Sequence, residues 1–198
     1  DVQNVTALDL LSKELNGWYA DFKETTKRVN RLLAEHQAVG LIQRGNWVRD
    51  LRGLSLLKEG DSFNSYEAVL LISDKREELE SEKIIQIVPR RYVLGIGAKK
   101  GIDFSIIKEE YLAFCQSINI HFRSIKKIVS IDIKQQEAGI CQLAEWLEIP
   151  FETYSAAELL TVSEKYPQSA FVKKVTGVGS VCLAAADLAS NGKVVTER

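Results

Sequence analysis

Tyr92-Val93-Leu94-Gly95-Ile96-Gly97-Ala98-Lys99-Lys100-Gly101 is an apolar run that breaks into glycines and then two lysines. It reads as a strand over Tyr92 to Ile96, a glycine turn, and a helix to follow. Ser105 to Ile118 supplies that helix, with Ile107, Tyr111, Phe114, Cys115 and Ile118 recurring on one face at helical spacing. The same alternation continues outward. Ile125 to Ile133 reads as a strand, Gln135 to Leu147 as a helix, and Phe151 to Tyr154 as a short strand. Ser155 caps a helix over Ala156 to Val162, with Glu158 at capping-box spacing. A second glycine turn, Val175-Thr176-Gly177-Val178-Gly179-Ser180, precedes an alanine-rich helix from Val181 to Ser190, and Lys193 to Thr196 reads as a last strand. Strands alternating with helices predict parallel pairing. The fold class is α/β, and this carboxy-terminal part is expected to be a three-layer domain on a mainly parallel sheet.

Toward the amino terminus the pattern is similar but shorter. Val5 to Leu15 reads as a helix ended by Asn16-Gly17, and Trp18 to Glu35 as another. Gly40 to Arg44, Leu51 to Leu57, Ala68 to Ile72 and Lys83 to Val88 read as strands. Ala68-Val69-Leu70-Leu71-Ile72 is apolar without a break, as in a strand buried on both faces. Pro89-Arg90-Arg91 is a candidate linker. Two α/β domains are therefore expected, a central one over 17–93 and a carboxy-terminal one over 94–198, with 1–16 left as a tail.

Composition narrows the function classes. The 198 residues are 45% hydrophobic and 27% charged, with a formal net charge of -1. That balance gives no general field for a polyanion, so nucleic acid and membrane surfaces are poor partners. No apolar run approaches membrane-spanning length, and no signal peptide is visible, which points to a cytoplasmic protein. The three cysteines, Cys115, Cys141 and Cys182, are too sparse for a disulfide frame or zinc site and are expected as reduced, small hydrophobes. His36 and His121 lack any neighbour pattern for catalysis or metal binding. There is no Met, not even at position 1. Either the chain is part of a longer product or its methionines are replaced.

Both glycine turns expose backbone N–H groups, which favour a ligand rich in carboxylate or phosphate. Gly95, Gly97 and Gly101 lie one spacing away from the dinucleotide fingerprint, but Asp132 falls beyond the ~20-residue distance at which that fingerprint wants its acid. A dinucleotide-dependent oxidoreductase is thus one reading. The segment Ser130-Ile131-Asp132-Ile133-Lys134-Gln135-Gln136-Glu137-Ala138-Gly139 gathers polar groups at the end of an apolar strand. Asp132 or Glu137 there could hold a water as general base, and Lys134, Lys99 or Lys100 could pair with a substrate carboxylate. Glu137 could equally favour a helix N-terminus by its charge. Thr176, beside Gly177 and Gly179, could bind ligand or cap a helix. No serine elbow or HExxH zinc motif occurs.

Taken in order, four segments resemble one family. They are Leu94-Gly95-Ile96-Gly97-Ala98-Lys99-Lys100-Gly101, Ile131-Asp132-Ile133-Lys134-x-x-Glu137-x-Gly139, Tyr154-Ser155-Ala156-x-Glu158-Leu159, and Phe171-Val172-x-x-x-x-Gly177-Val178-Gly179-x-Val181. The series is similar to that of the CbiG family of cobalamin (vitamin B12) biosynthesis, the cobalt-precorrin-5A hydrolases. Residues 17–93 resemble the family's central region, and 1–16 the tail of its amino-terminal domain. The resemblance implies opening of the δ-lactone of a cobalt-corrinoid on the anaerobic route, with a two-carbon fragment leaving as acetaldehyde. It also implies that cobalt belongs to the substrate, with no protein metal site and no further cofactor, and it leaves other pathway enzymes as conceivable partners and the oligomeric state open. On this reading Asp132 or Glu137 activates water. Gly95, Gly97, Lys99, Lys100, Gly101, Lys134, Thr176, Gly177 and Gly179 bind substrate. The sequence departs from the family at Ala98, where Cys is usual, and at Leu183, where Glu is usual. A module that binds the corrinoid without catalysis is the alternative those departures raise.

Overall fold

The computed structural model describes residues 7–51, 53–58, 60–170, 174, 176 and 180–195. The chain falls into two compact units, Asp1–Arg90 with Asn119–Ser124, and Arg91–Ile118 with Ile125–Arg198. No described helix is long and apolar enough to cross a membrane.

The first unit comprises α1 (Leu8–Leu15), β1 (Gly17–Trp18), α2 (Phe22–Ala34), β2 (Val39–Gln43), β3 (Ser55–Leu56), β4 (Ala68–Ile72) and β5 (Ile84–Pro89). They form a five-stranded sheet in the order β1-β5-β4-β2-β3. β1 runs antiparallel to β5, and the other pairs are parallel. All residues of β4 are buried, as its unbroken apolar run requires of a central strand with both faces covered. Two expectations are corrected here. The amino-terminal helix is not the tail of another domain, because Leu8 and Leu11 of α1 are buried in the same core as Val29, Leu41, Leu70 and Ile87. Trp18 does not begin a helix either. Gly17 and Trp18 pair with Pro89 and Val88, and α2 starts only at Phe22. The strand expected over Leu51 to Leu57 contracts to β3.

The second unit comprises β6 (Tyr92–Gly95), α3 (Phe104–Ser117), β7 (Ile125–Ile131), a 3-10 turn (Asp132–Lys134), α4 (Ala138–Leu147), β8 (Phe151–Tyr154), α5 (Ala156–Ser163) and α6 (Val181–Ser190). The sheet is parallel in the order β6-β7-β8. Two crossovers advancing the same way place α3 and α4 on one face. On the other, Val129 and Ile131 of β7 pack with Leu159 of α5 and Val181, Ala184 and Ala185 of α6. This is the expected three-layer α/β arrangement. Ser155 accepts from the Glu158 N–H and the Glu158 carboxylate accepts from the Ser155 N–H, so the capping box forms as read. Helix α4 begins three residues later than the sequence suggests, because Asp132 to Lys134 turn into a 3-10 helix first. Lys193 to Val195 form no strand; Thr196 lies outside the described residues.

Residues 119–124 leave α3 and join the first unit before β7 begins. Lys75 and Ile120 form an antiparallel bridge, and the His121 N–H donates to the Asp74 carbonyl at 2.9 Å. The His121 ring lies 5.6 Å from that of Trp18, and the Arg123 guanidinium lies 5.0 Å over Trp18. Burial, and then the charges of Arg123 and Arg76, push His121 down to about 4. A histidine depressed in the folded state is held neutral there but charges when unfolded. Its contribution is therefore present above the unfolded value and is lost as pH falls from about 6.5 toward 4. In urea titrations across that window, wild type should lose stability by at most about 1.4 kcal/mol per pH unit on this account. His121→Gln should flatten the slope. An identical slope in the variant would show that His121 does not govern it.

Candidate functional site

The carboxyl ends of β6 and β7 carry the segments that the sequence singled out. After Gly95 the chain keeps one more ladder contact, from the Ile96 N–H to the Val129 carbonyl at 2.9 Å. The hydroxyl of Ser130, fully buried at the end of β7, donates to the Ile96 carbonyl at 2.7 Å. The far end of the loop is fixed by Glu137, whose carboxylate accepts from the Gly101 N–H at 2.6 Å and from the Lys134 ammonium at 3.0 Å. Between these two anchors, the N–H groups of Gly97, Ala98, Lys99 and Lys100 have no acceptor among the described residues. A pinned run of open N–H groups is a candidate anion-binding cradle, and the side chains of Lys99 and Lys100 beside it are exposed.

The two carboxylates named from the sequence differ sharply. The Lys134 ammonium first, and then the N–H groups of Gly101 and Ile102, hold the Glu137 carboxyl below its ordinary value against the opposing effect of burial. Its side chain is only 9% exposed, so those contacts fill it. Such a group is a weak proton acceptor. Although Glu137 occupies the N-cap position of α4, its side chain makes no cap bond; its contacts go to the loop instead. It is the clamp of the glycine loop. Lys134 is committed to that clamp. Asp132 is exposed on the 3-10 turn, and among the described residues its carboxylate accepts only locally, from the Ile133 N–H at 2.7 Å.

The glycines also separate by role. A side chain at Gly95 would collide with the carbonyl oxygen of Cys182 and crowd Ala186, so the missing Cβ is what lets α6 lie on β6. That use, rather than ligand contact, accounts for Gly95. Gly101 turns the chain at φ 73° and gives its N–H to Glu137. Gly97 is exposed, with the Cys182 side chain 4.0 Å from where its Cβ would stand. The first turn of α6 thus borders the cradle, and Ser180 places no side-chain cap on it. Thr176 is half-buried and engaged with other groups, while Gly177 and Gly179 lie outside the described residues. Leu183 is half-buried on the first turn of α6 and Ala98 half-buried in the loop.

The helix that follows the loop does not offer a pyrophosphate site. Asp103 caps α3, accepting from the Ser105 N–H at 2.7 Å and from its hydroxyl. A carboxylate already fills the position a dinucleotide would need. Ser130 is the residue whose role sequence reasoning missed. Its signal was a hydroxyl at the end of a β-branched strand, which must find a partner when buried.

Two substitutions test this geometry. Gly95→Ala should destabilise the protein by about 2–3 kcal/mol through forced displacement of α6, read from urea denaturation. Unchanged stability would remove the packing account. Glu137→Gln should cost about 1.5–3 kcal/mol at neutral pH, the value of hydrogen bonds to a charged group. Because the folded value is depressed, this contribution exists above the unfolded value and disappears as pH falls through the folded one. The gap between variant and wild type should therefore close below about pH 4. A gap independent of pH would show that the ionised carboxylate is not the clamp.

Residues 92–198 match the family description "Cobalamin synthesis G C-terminus", and residues 6–89 match "Cobalamin biosynthesis central region". The chain is 31% identical to a cobalt-precorrin-5A hydrolase of Salmonella typhimurium, over 100% of this chain and 58% of that protein. It is 24% identical to a cobalt-precorrin-5A hydrolase of Priestia megaterium, over 96% of this chain and 54% of that protein. The chain therefore spans a little over half the length of the curated relatives it matches. Among solved structures it is similar to CobE, a protein from the cobalamin biosynthetic pathway, with a TM-score of 0.45 and 28% identity, covering 48% of this chain and 67% of that one. A putative cobalamin biosynthesis protein G homologue from Sulfolobus solfataricus gives a TM-score of 0.41 and 14% identity, over 94% of this chain and 53% of that one. The chain belongs to the CbiG family of cobalamin biosynthesis proteins, of which it carries the central and carboxy-terminal regions.

Proposed function

We propose that this chain binds a cobalt-corrinoid intermediate and takes part in hydrolytic opening of its δ-lactone, the reaction for which its curated relatives are named. The observation that carries the proposal is the pinned loop. Its four N–H groups from Gly97 to Lys100 stand open between the Ser130 and Glu137 anchors. A corrinoid intermediate carries many acetate and propionate side chains, and a lactone carbonyl gathers negative charge as water adds to it. Preorganised N–H groups serve either need, because they meet the charge without reorganising.

In this scheme Asp132 takes a proton from water as its oxygen attacks the lactone carbonyl. The developing oxyanion, or a neighbouring substrate carboxylate, accepts hydrogen bonds from the cradle. The tetrahedral intermediate collapses with cleavage of the lactone C–O bond, Asp132 returning its proton to the leaving oxygen, which gives a carboxylate and a hydroxyl. The two-carbon fragment then leaves as acetaldehyde as that hydroxyl gives up its proton and the C–C bond to the macrocycle breaks, its electron pair passing to the conjugated ring. Lys99 and Lys100 supply charge complementarity. Glu137 and Lys134 hold the loop. Cobalt enters with the substrate, and a cytoplasmic setting goes with this reading.

Incubation of the chain with the lactone-bearing cobalt intermediate, with acetaldehyde as readout, tests the proposal. Turnover is expected, and Asp132→Asn should lower it by about 10²–10⁴-fold, the usual worth of a general base. Full turnover in Asp132→Asn would remove that residue from the chemistry. Corrinoid binding without acetaldehyde would select the binding-module reading that Ala98 and Leu183 raise.

A further inference from the structure

The first unit has its own candidate site, at a place fixed by strand order. From β2 the chain runs outward to β3 on one side, then returns to β4 on the other side and continues to β5. The loops leaving β2 and β4 therefore diverge, and ligands of open parallel sheets bind outside the carboxyl ends of the strands at such a point.

Two glutamine side chains brace the diverging loops. The Gln43 carbonyl oxygen accepts from the N–H groups of Trp47 and Val48 at 3.1 and 2.9 Å, and its amide donates to the Val48 carbonyl at 3.1 Å. The Trp47 indole N–H donates to the Arg44 carbonyl at 2.8 Å, which folds the ring back over the turn. On the other loop, the Gln86 amide donates to the carbonyls of Ser73 and Lys75 at 3.2 and 2.8 Å. The buried Ser73 hydroxyl donates to Glu77 at 2.6 Å, and Arg44 reaches across to the same carboxylate at 3.8 Å. The loops are thus built and joined.

They present charge. Arg44, Arg49, Lys75 and Arg76 are exposed, whereas Asp74 in the same loop is buried and Glu77 is turned toward Ser73 and Arg44. Asp50 and Glu78 lie farther along the two loops. The charge of Arg76 is felt as far as His121, where it adds to that of Arg123.

We propose that the edge outside β2 and β4 is a binding site for a planar molecule bearing several carboxylates, gripped by Arg44, Arg49, Lys75 and Arg76 beside the Trp47 indole. Guanidinium groups pair with carboxylates in two-pronged fashion and stack on flat rings, so they suit a planar polyanion. The choice of carboxylate over phosphate rests on the proposed function; the site itself does not.

The test is an NMR titration of the ¹⁵N-labelled chain at constant ionic strength, with benzene-1,2,4,5-tetracarboxylate in one arm and pyrophosphate in the other. The tetracarboxylate should give saturable shifts at the Trp47 indole N–H and at the amides of 44–49 and 73–77. The double variant K75Q/R76Q, whose side chains make no hydrogen bond or ion pair among the described residues, should weaken this binding by about tenfold. It should leave shifts at 97–101 as they are in wild type. Shifts confined to 97–101 would overturn this site while sustaining the cradle. Saturable shifts at 44–49 and 73–77 with 97–101 unmoved would sustain this site and count against the proposed function. Saturation of the loops by pyrophosphate alone, or an unchanged constant in the double variant, would overturn the assignment.

Discussion

The Glu137 carboxylate is the constraint on which the carboxy-terminal site depends. It spends its acceptor capacity on the Gly101 N–H and the Lys134 ammonium, and in doing so it fixes one end of a loop whose other end Ser130 holds. Without the clamp, Gly101 at φ 73° would be free to relax, since glycine loses more conformational freedom on ordering than any other residue. The segment from Gly97 to Lys100 would then have to be ordered by any ligand it met. With the clamp, that entropy is lost on folding instead, and the open N–H groups are held in advance.

Other elements converge on the same loop for packing reasons. Gly95 lets α6 sit directly on β6, which brings the first turn of α6 beside Gly97. Gly139, in the first turn of α4, leaves room for the carbonyl of Ile102, 2.5 Å from where its Cβ would stand. A Cβ at either position would push a helix away from the loop. Gly95, which the sequence pattern reads as a ligand contact, and Gly139 are spacers that allow a helix and a strand or loop to touch. Loss of the side chain serves the fold, and the fold in turn shapes the loop.

Elements with a single dominant period were legible in the sequence. β4, β8 and α6 fall on the residues their apolar patterns mark, and the Ser155–Glu158 capping box forms as its spacing implies. The failures have physical causes of a different kind. Gly17-Trp18 is a strand only because Pro89 and Val88 are there to pair with it, and no local preference encodes a partner 70 residues away. The start of α4 shifted because Asp132, whose carboxylate accepts the next N–H, favours a tight turn over helix continuation. For the site, the polar segment after β7 was legible as a place but not as a division of labour. Asp132 and Glu137 have the same chemistry on paper, and only the contacts to Gly101 and Lys134 make one a clamp and leave the other exposed.

The six residues from Asn119 to Ser124 show why chain order alone misjudges domain membership. They connect α3 to β7, yet their bridge to Lys75, the bond to the Asp74 carbonyl and the stack of Trp18, His121, Phe122 and Arg123 belong to the first unit. This is costly to build for a connector, because it takes a histidine out of water and holds it neutral near two guanidinium groups. A plain surface loop would carry no such burden. The aromatic stack also gives Trp18 its burial partner, which explains why a two-residue strand at the edge of a sheet is worth forming at all. Residues 119–124 therefore pack onto the first unit, whose buried core is itself drawn from residues between Leu8 and Ile87.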